Sequence, residues 1–170
     1  MNPENFDIEE KKMFGLWPHG DLISYGMNPY VKRIREDRIV VGIVGDLRGE
    51  DVFNFLENNP KIIKINVVNE YSSDDNLKAL FDKNTSNYKS KIGFGLEKDK
   101  LRDVVCIEKN ACTLDNLVLY YNNVKSGGIF CGNGHETNEV KAALREFRRT
   151  QKIGTPIQVC YRTVWFWVKR

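Results

Sequence analysis

Short β-branched runs, each ending in glycine or a polar turn and separated by segments of helical period, constrain this chain most. Ile39-Val-Val-Gly-Ile-Val44 shows no polar alternation, so it suits a strand buried on both faces of a parallel sheet. Ile62-Ile-Lys-Ile-Asn-Val-Val68, Asp103-Val-Val-Cys-Ile107 and Ile129-Phe-Cys131 read the same way, and Lys91–Gly95 is a weaker, glycine-punctuated strand. Between them, Glu50–Asn58 places Val52, Phe55 and Leu56 on one helical face and stops before Pro60. Asn76–Asp82 reads as a short helix, and Thr113–Val124 carries a stripe of Leu114, Leu117, Val118 and Tyr121, with Gly127-Gly128 expected to end that unit. In the clearest helix, Thr137 or Asn138 is the cap, Glu139 sits in the first turn, and Val140, Ala143, Leu144 and Phe147 recur at helical spacing. Pro156–Tyr161 and Thr163–Val168 close the chain as two strands joined by a tight turn at Arg162. Strand and helix in alternation predict an α/β fold on a mainly parallel sheet.

Composition narrows the class. The chain has 170 residues, 41% of them hydrophobic and 29% charged, which suits one domain with a proper core. We divide it into an N-terminal extension or cover (1–38), holding a short helix or two, and a single domain (39–170). The net charge of +3 is too small to argue for nucleic acid or an anionic membrane. No apolar stretch is long enough to span a bilayer, and polar, acidic Met1–Lys12 does not read as a signal peptide, so the expectation is a cytoplasmic protein. Cys106, Cys112, Cys131 and Cys160 form no Cys-x-x-Cys pair and read as reduced core cysteines. With His19 and His135 the only histidines, no zinc ligand set is assigned. Of Glu108, Asn110 and Asn133 only one is a carboxylate, so no divalent metal is assigned either.

In an open α/β sheet, ligands bind beyond the carboxyl ends of the strands, where strand order reverses. Three loops there carry suitable residues. Gly45-Asp-Leu-Arg-Gly49 lets backbone approach a ligand and leads into a helix N-terminus, with Gly45, Asp46 and Gly49 the candidate contacts. It is neither a Gly-x-Gly-x-x-Gly motif nor a P-loop, which disfavours a dinucleotide dehydrogenase or an ATPase. Asn69 and Glu70 follow the second strand, where a polar side chain reaches ribose hydroxyls. Glu108 and Asn110, with Asn133, His135 and Glu136 from the next loop, form a polar cluster along the same edge. His135 is the candidate general base, with Glu108 or Glu136 beside it.

These residues resemble a family. Gly127-Gly128-Ile-Phe-Cys-Gly132-Asn-Gly-His135-Glu136, the Glu139–Phe147 helix, Val164-Trp-Phe-Trp-Val-Lys169 and Gly45-x-x-x-Gly49 are similar to the small class I S-adenosylmethionine-dependent methyltransferases. Phe14-Gly-Leu-Trp17 resembles the aromatic lead-in that covers the cofactor in such proteins. The resemblance implies a Rossmann-like, doubly wound, seven-stranded sheet of order 3-2-1-4-5-7-6 with strand 7 antiparallel. It further implies S-adenosylmethionine as cofactor, bound by Gly45, Asp46, Gly49, Asn69, Glu70 and Glu108, and methyl transfer to a small-molecule or sugar acceptor. The chain departs from the family where acidic residues are expected, at Ile43 and Asn69, and its Gly-His-Asp turn is displaced into Gly132-Asn-Gly-His135-Glu136. Those departures keep a second reading open, a repurposed relative serving as a binding or oligomerisation module. A homo-oligomer is left open as well.

Overall fold

The structure, a computed structural model, describes residues 22–70 and 74–170. Phe14-Gly-Leu-Trp17, His19 and the rest of the leading segment lie outside the described residues. Element order is α1 (Ile23–Val31), β1 (Ile39–Val44), α2 (Glu50–Asn58), β2 (Ile62–Val68), α3 (Asp75–Asn84), β3 (Ile92–Phe94), β4 (Arg102–Ile107), α4 (Leu114–Tyr121), β5 (Val124–Gly132), α5 (Asn138–Thr150), β6 (Gln158–Cys160) and β7 (Val164–Val168). Among the described residues the strands form one seven-stranded sheet of order β3-β2-β1-β4-β5-β7-β6. Strands β1 to β5 pair in parallel, and β7 runs antiparallel between β5 and β6. This is the Rossmann-like, doubly wound architecture with an antiparallel seventh strand. Among the described residues no helix is long and apolar enough to cross a membrane.

Period-2 alternation sends the two faces of each strand into two separate cores. Val41, Ile43, Val104, Cys106, Ile129, Cys131 and Phe166 point into one, with Ile23, Met27 and Val31 of α1 and Val52 and Phe55 of α2. Val105, Ile107, Phe130, Trp165 and Trp167 point into the other, against Leu117 of α4 and Val140, Leu144 and Phe147 of α5. In that second core the rings of Phe130 and Trp167 stack with centroids 5.3 Å apart, and the Arg148 guanidinium lies 4.7 Å from the Trp167 ring centroid. All four cysteines are free; Cys106, Cys112 and Cys131 are buried and Cys160 is half-buried.

Three details depart from the sequence reading. Helix α1 packs into the core, with Ile23, Met27 and Val31 fully buried, deeper than a segment lying over the domain would be, and Leu22 before it lines the larger cleft at the sheet edge. Strand β5 starts before the Gly127-Gly128 pair instead of after it, because the Gly127 N–H donates to the Lys169 carbonyl (2.7 Å) and β7 continues the pairing. The closing strands are shorter than expected, and the turn between them holds two non-glycine residues in the left-handed region, Tyr161 (φ 51°) and Arg162 (φ 65°). The N-cap of α5 is Thr137, whose Oγ1 accepts from the Val140 N–H at 3.3 Å.

Candidate functional site

The order of strands reverses between β1 and β4, and the loops leaving these two strands are stitched together there. The Glu108 N–H donates to the Val44 carbonyl and the Gly45 N–H to the Val68 carbonyl, each at 2.9 Å, so the ladder continues one residue past each strand. Gly45 then turns with φ +95°, and a side chain there would place its Cβ 2.7 Å from Asn110 Oδ1 and 3.1 Å from the Glu108 Cβ. Only glycine satisfies both the dihedral and the approach. The Asn110 amide closes the same junction by donating to the Gly45 carbonyl (3.3 Å).

Two adjoining clefts open at this edge. The larger, about 330 Å³, is lined in part by Gly45, Asp46, Glu50, Glu108, Lys109 and Asn133. The second, about 200 Å³, shares Gly45, Leu47 and Asn110 with it and adds Val68, Glu70, Asn116 and Tyr120. Together they form a trough across the carboxyl ends of β1, β2 and β4.

The larger cleft is acidic at its base. Asp46 Oδ2 accepts from the Val52 N–H at 3.0 Å, which ties the loop to the first turn of α2. Burial raises the Asp46 carboxyl well above the ordinary aspartate range, and the neighbouring Asp51 charge adds to it. Glu108 is raised in the same direction by desolvation first, then by Asp51, which stands within hydrogen-bonding reach, and by Asp46. A hydrogen bond from Asn133 Nδ2 to Glu108 Oε2 (2.8 Å) works against that shift. Asn133 is itself fixed: its Oδ1 accepts from the Lys109 N–H (2.6 Å) and its carbonyl from the Trp165 indole (3.2 Å). Gly132 before it has no room for a side chain, since a Cβ would come 2.3 Å from Trp165 and 2.4 Å from the Ile107 carbonyl.

The structure brings Gly45, Asp46 and Glu108 into one cleft and Glu70 into the other. Gly49 stands at the N-cap of α2 with φ +77° and shapes the loop without lining either cleft. The Asn69 amide donates to the Asp46 carbonyl (2.7 Å), so it braces the loop, and Glu70 is the residue on the second cleft. His135 and Glu136 line neither cleft. The His135 N–H bonds the Thr163 carbonyl (3.0 Å), and burial lowers its imidazole below the ordinary value, with Lys141 adding to the effect. Ile43, at the position where the family resemblance expects an acid, is fully buried in the core.

Asp51 is the residue that sequence reasoning missed. An acid in the first turn of a helix reads as a partner for the helix dipole, which gives no reason to single it out. Its distinguishing contact comes from a distant element, the Ser24 N–H of α1, which donates to Oδ1 at 2.8 Å.

No protein-family model matches the sequence, and no curated protein matches it. Solved structures do resemble it. A candidate caffeoyl-CoA O-methyltransferase from Staphylococcus aureus is similar with a TM-score of 0.64 at 14% identity, over 98% of this chain and 94% of that one. A candidate S-adenosyl-L-methionine-dependent methyltransferase from Methanococcus maripaludis gives 0.63 at 14% identity, over 99% and 91%. Precorrin-6y C5,15-methyltransferase from Geobacter metallireducens gives 0.60 at 12% identity, over 83% and 84%. The chain thus has the fold of the class I S-adenosylmethionine-dependent methyltransferases. At these identities the likeness establishes the fold and leaves the activity to the site.

Proposed function

We propose that this protein is an S-adenosylmethionine-dependent methyltransferase acting on a small-molecule or sugar acceptor. The observation that carries the reading is the trough itself: two adjoining clefts at the switch point, meeting over Gly45, one acidic and one bearing Glu70 and Tyr120. The residues present fit the cofactor. Glu70 can accept hydrogen bonds from ribose hydroxyls, and the Tyr120 ring beside it offers a face to a base. Asp46 and Glu108 supply negative charge to the sulfonium and ammonium groups, and Arg48 and Lys109, on the same cleft, suit the carboxylate. The Gly45 backbone provides the close approach that a side chain would obstruct.

When bound, S-adenosylmethionine supplies a methyl carbon activated by its sulfonium, open to in-line displacement. The protein's part is then chiefly positioning. Glu108 lies on the cleft with a raised proton affinity, so it can take a proton from an acceptor hydroxyl. We assign the acid–base role to Glu108 in preference to His135 because Glu108 lines the larger cleft and His135 lines neither. Asn133 holds the Glu108 carboxyl in place.

Calorimetric titration with S-adenosylmethionine and S-adenosylhomocysteine, with a nicotinamide dinucleotide as control, tests the reading. Saturable heat is expected for the first two only. Gly45→Val should weaken binding at least 30-fold, whereas Gly154→Ala, where a Cβ meets open space, should leave it unchanged. No heat at millimolar cofactor overturns the reading and favours a methyltransferase-fold protein that serves as a binding or oligomerisation module.

A further inference from the structure

Asp46, Asp51 and Glu108 come from the loop after β1, the first turn of α2 and the end of β4, yet one carboxyl oxygen from each lies within 4.8 Å of the others. Three oxygens so spaced have a common point no more than about 2.8 Å from each, and a slight inward movement gives the 2.3–2.6 Å of calcium or the 2.0–2.1 Å of magnesium. Among the described residues, no lysine or arginine forms an ion pair with any of the three.

A second observation points to a ligand at this place. Asp51 is fully buried, its Oδ1 is taken by the Ser24 N–H, and its Oδ2 has no hydrogen-bond donor. The Asp51 side chain stands within hydrogen-bonding reach of the Glu108 carboxyl, itself an acceptor when both are ionised. Buried polar atoms are nearly always satisfied, and a carboxylate oxygen accepts only a proton donor or a cation. A ligand in the larger cleft reaches Asp46 and Glu108, but Asp51 does not line that cleft.

We propose that Asp46, Asp51 and Glu108 bind one divalent cation, of the hard, oxygen-preferring class of magnesium, manganese or calcium, between the base of the larger cleft and helix α2. Two of its ligands are preset: the Val52 N–H fixes Asp46 and the Ser24 N–H fixes Asp51, so the ion meets carboxylates already oriented. Oxygen-only donors without sulfur or imidazole suit such hard cations. One dication against three carboxylates leaves a single negative charge facing the cleft. The site shares Asp46 and Glu108 with the cofactor reading, so an ion bound there would engage carboxylates that reading assigns to the cofactor and to proton transfer; the ion itself can be tested with no cofactor present.

Manganese titration of chelator-treated protein, followed by electron paramagnetic resonance, tests the site with no cofactor present. The free-ion signal should be suppressed until one equivalent is bound, and magnesium or calcium should compete for it. Asp51→Asn and Glu108→Gln should each lower the affinity at least tenfold, while Asp115→Asn, an exposed carboxylate at the start of α4, should match the native protein. If Asp51→Asn does not fold, the native stoichiometry and Glu108→Gln decide the matter. No bound manganese at millimolar concentration, or undiminished binding in the variants that fold, overturns the site and leaves the three carboxyls sharing protons.

Discussion

Glu108 is held in a place that is costly for a carboxylate and useful for a ligand. Desolvation and the nearby Asp51 and Asp46 raise its proton affinity above that of the unfolded chain. A carboxyl shifted that way contributes its stability below the unfolded value of about 4.3 and loses it as pH rises through the folded value. In chelator at pH 8, Glu108→Gln should therefore raise the melting temperature by about 2–4 °C, corresponding to about 1 kcal/mol in a domain of this size. The gain should shrink as pH falls and the native glutamate takes up its proton. A variant less stable than native at pH 8, or a gap that ignores pH, would contradict this placement. Stability given up at a site is the ordinary cost of keeping charge for function. Asp46 and Glu108 were legible in the sequence because they end strands at the edge where ligands bind. Asp51 was not, since its role depends on α1 delivering the Ser24 N–H across 27 residues of chain.

Among the elements, those built by local signals were readable and those built by pairing were not. Helix α2 and strand β2 span the predicted Glu50–Asn58 and Ile62–Val68, because Pro60 and the apolar period set both boundaries. Strand β5 ran longer than its pattern, because a hydrogen bond from Gly127 to Lys169, not the residues themselves, carries it through the glycines. Helix α1 has no cap side chain and contains Pro29, so only its burial against β1 and α2 distinguishes it. Residues 161–163 join β6 to β7 in a tight turn in which the Thr163 N–H donates to the Cys160 carbonyl (3.2 Å), with Tyr161 and Arg162 both at positive φ. Tyr161 and Arg162 each bear a Cβ that this conformation disfavours. Replacing the pair by Asn-Gly should stabilise the protein by about 1 kcal/mol, read as a melting temperature about 2–4 °C higher. An unchanged or lower value would mean that the two side chains make compensating contacts.

On the scale of the molecule, the sheet order does the positioning. Reversal between β1 and β4 leaves their carboxyl ends without a crossover above them, and the Gly45 turn, Glu108 and Glu70 converge on that gap. The two cores on either side hold the strands in register, and Trp165 reaches from the antiparallel strand to fix Asn133 behind Glu108. The Gly45 turn of the family resemblance lies at the switch point, whereas Ile43, where it expected an acid, is buried in the core, and Asn69 braces the loop by donating to the Asp46 carbonyl. The central claim is that this trough holds S-adenosylmethionine along its length. A crystal structure with S-adenosylhomocysteine bound tests it most directly. The account predicts the ribose hydroxyls on Glu70, the adenine beside Tyr120 and the amino-acid end against Asp46 and Glu108. Density for the ligand anywhere else on the molecule, or the reverse orientation along the trough, would contradict it.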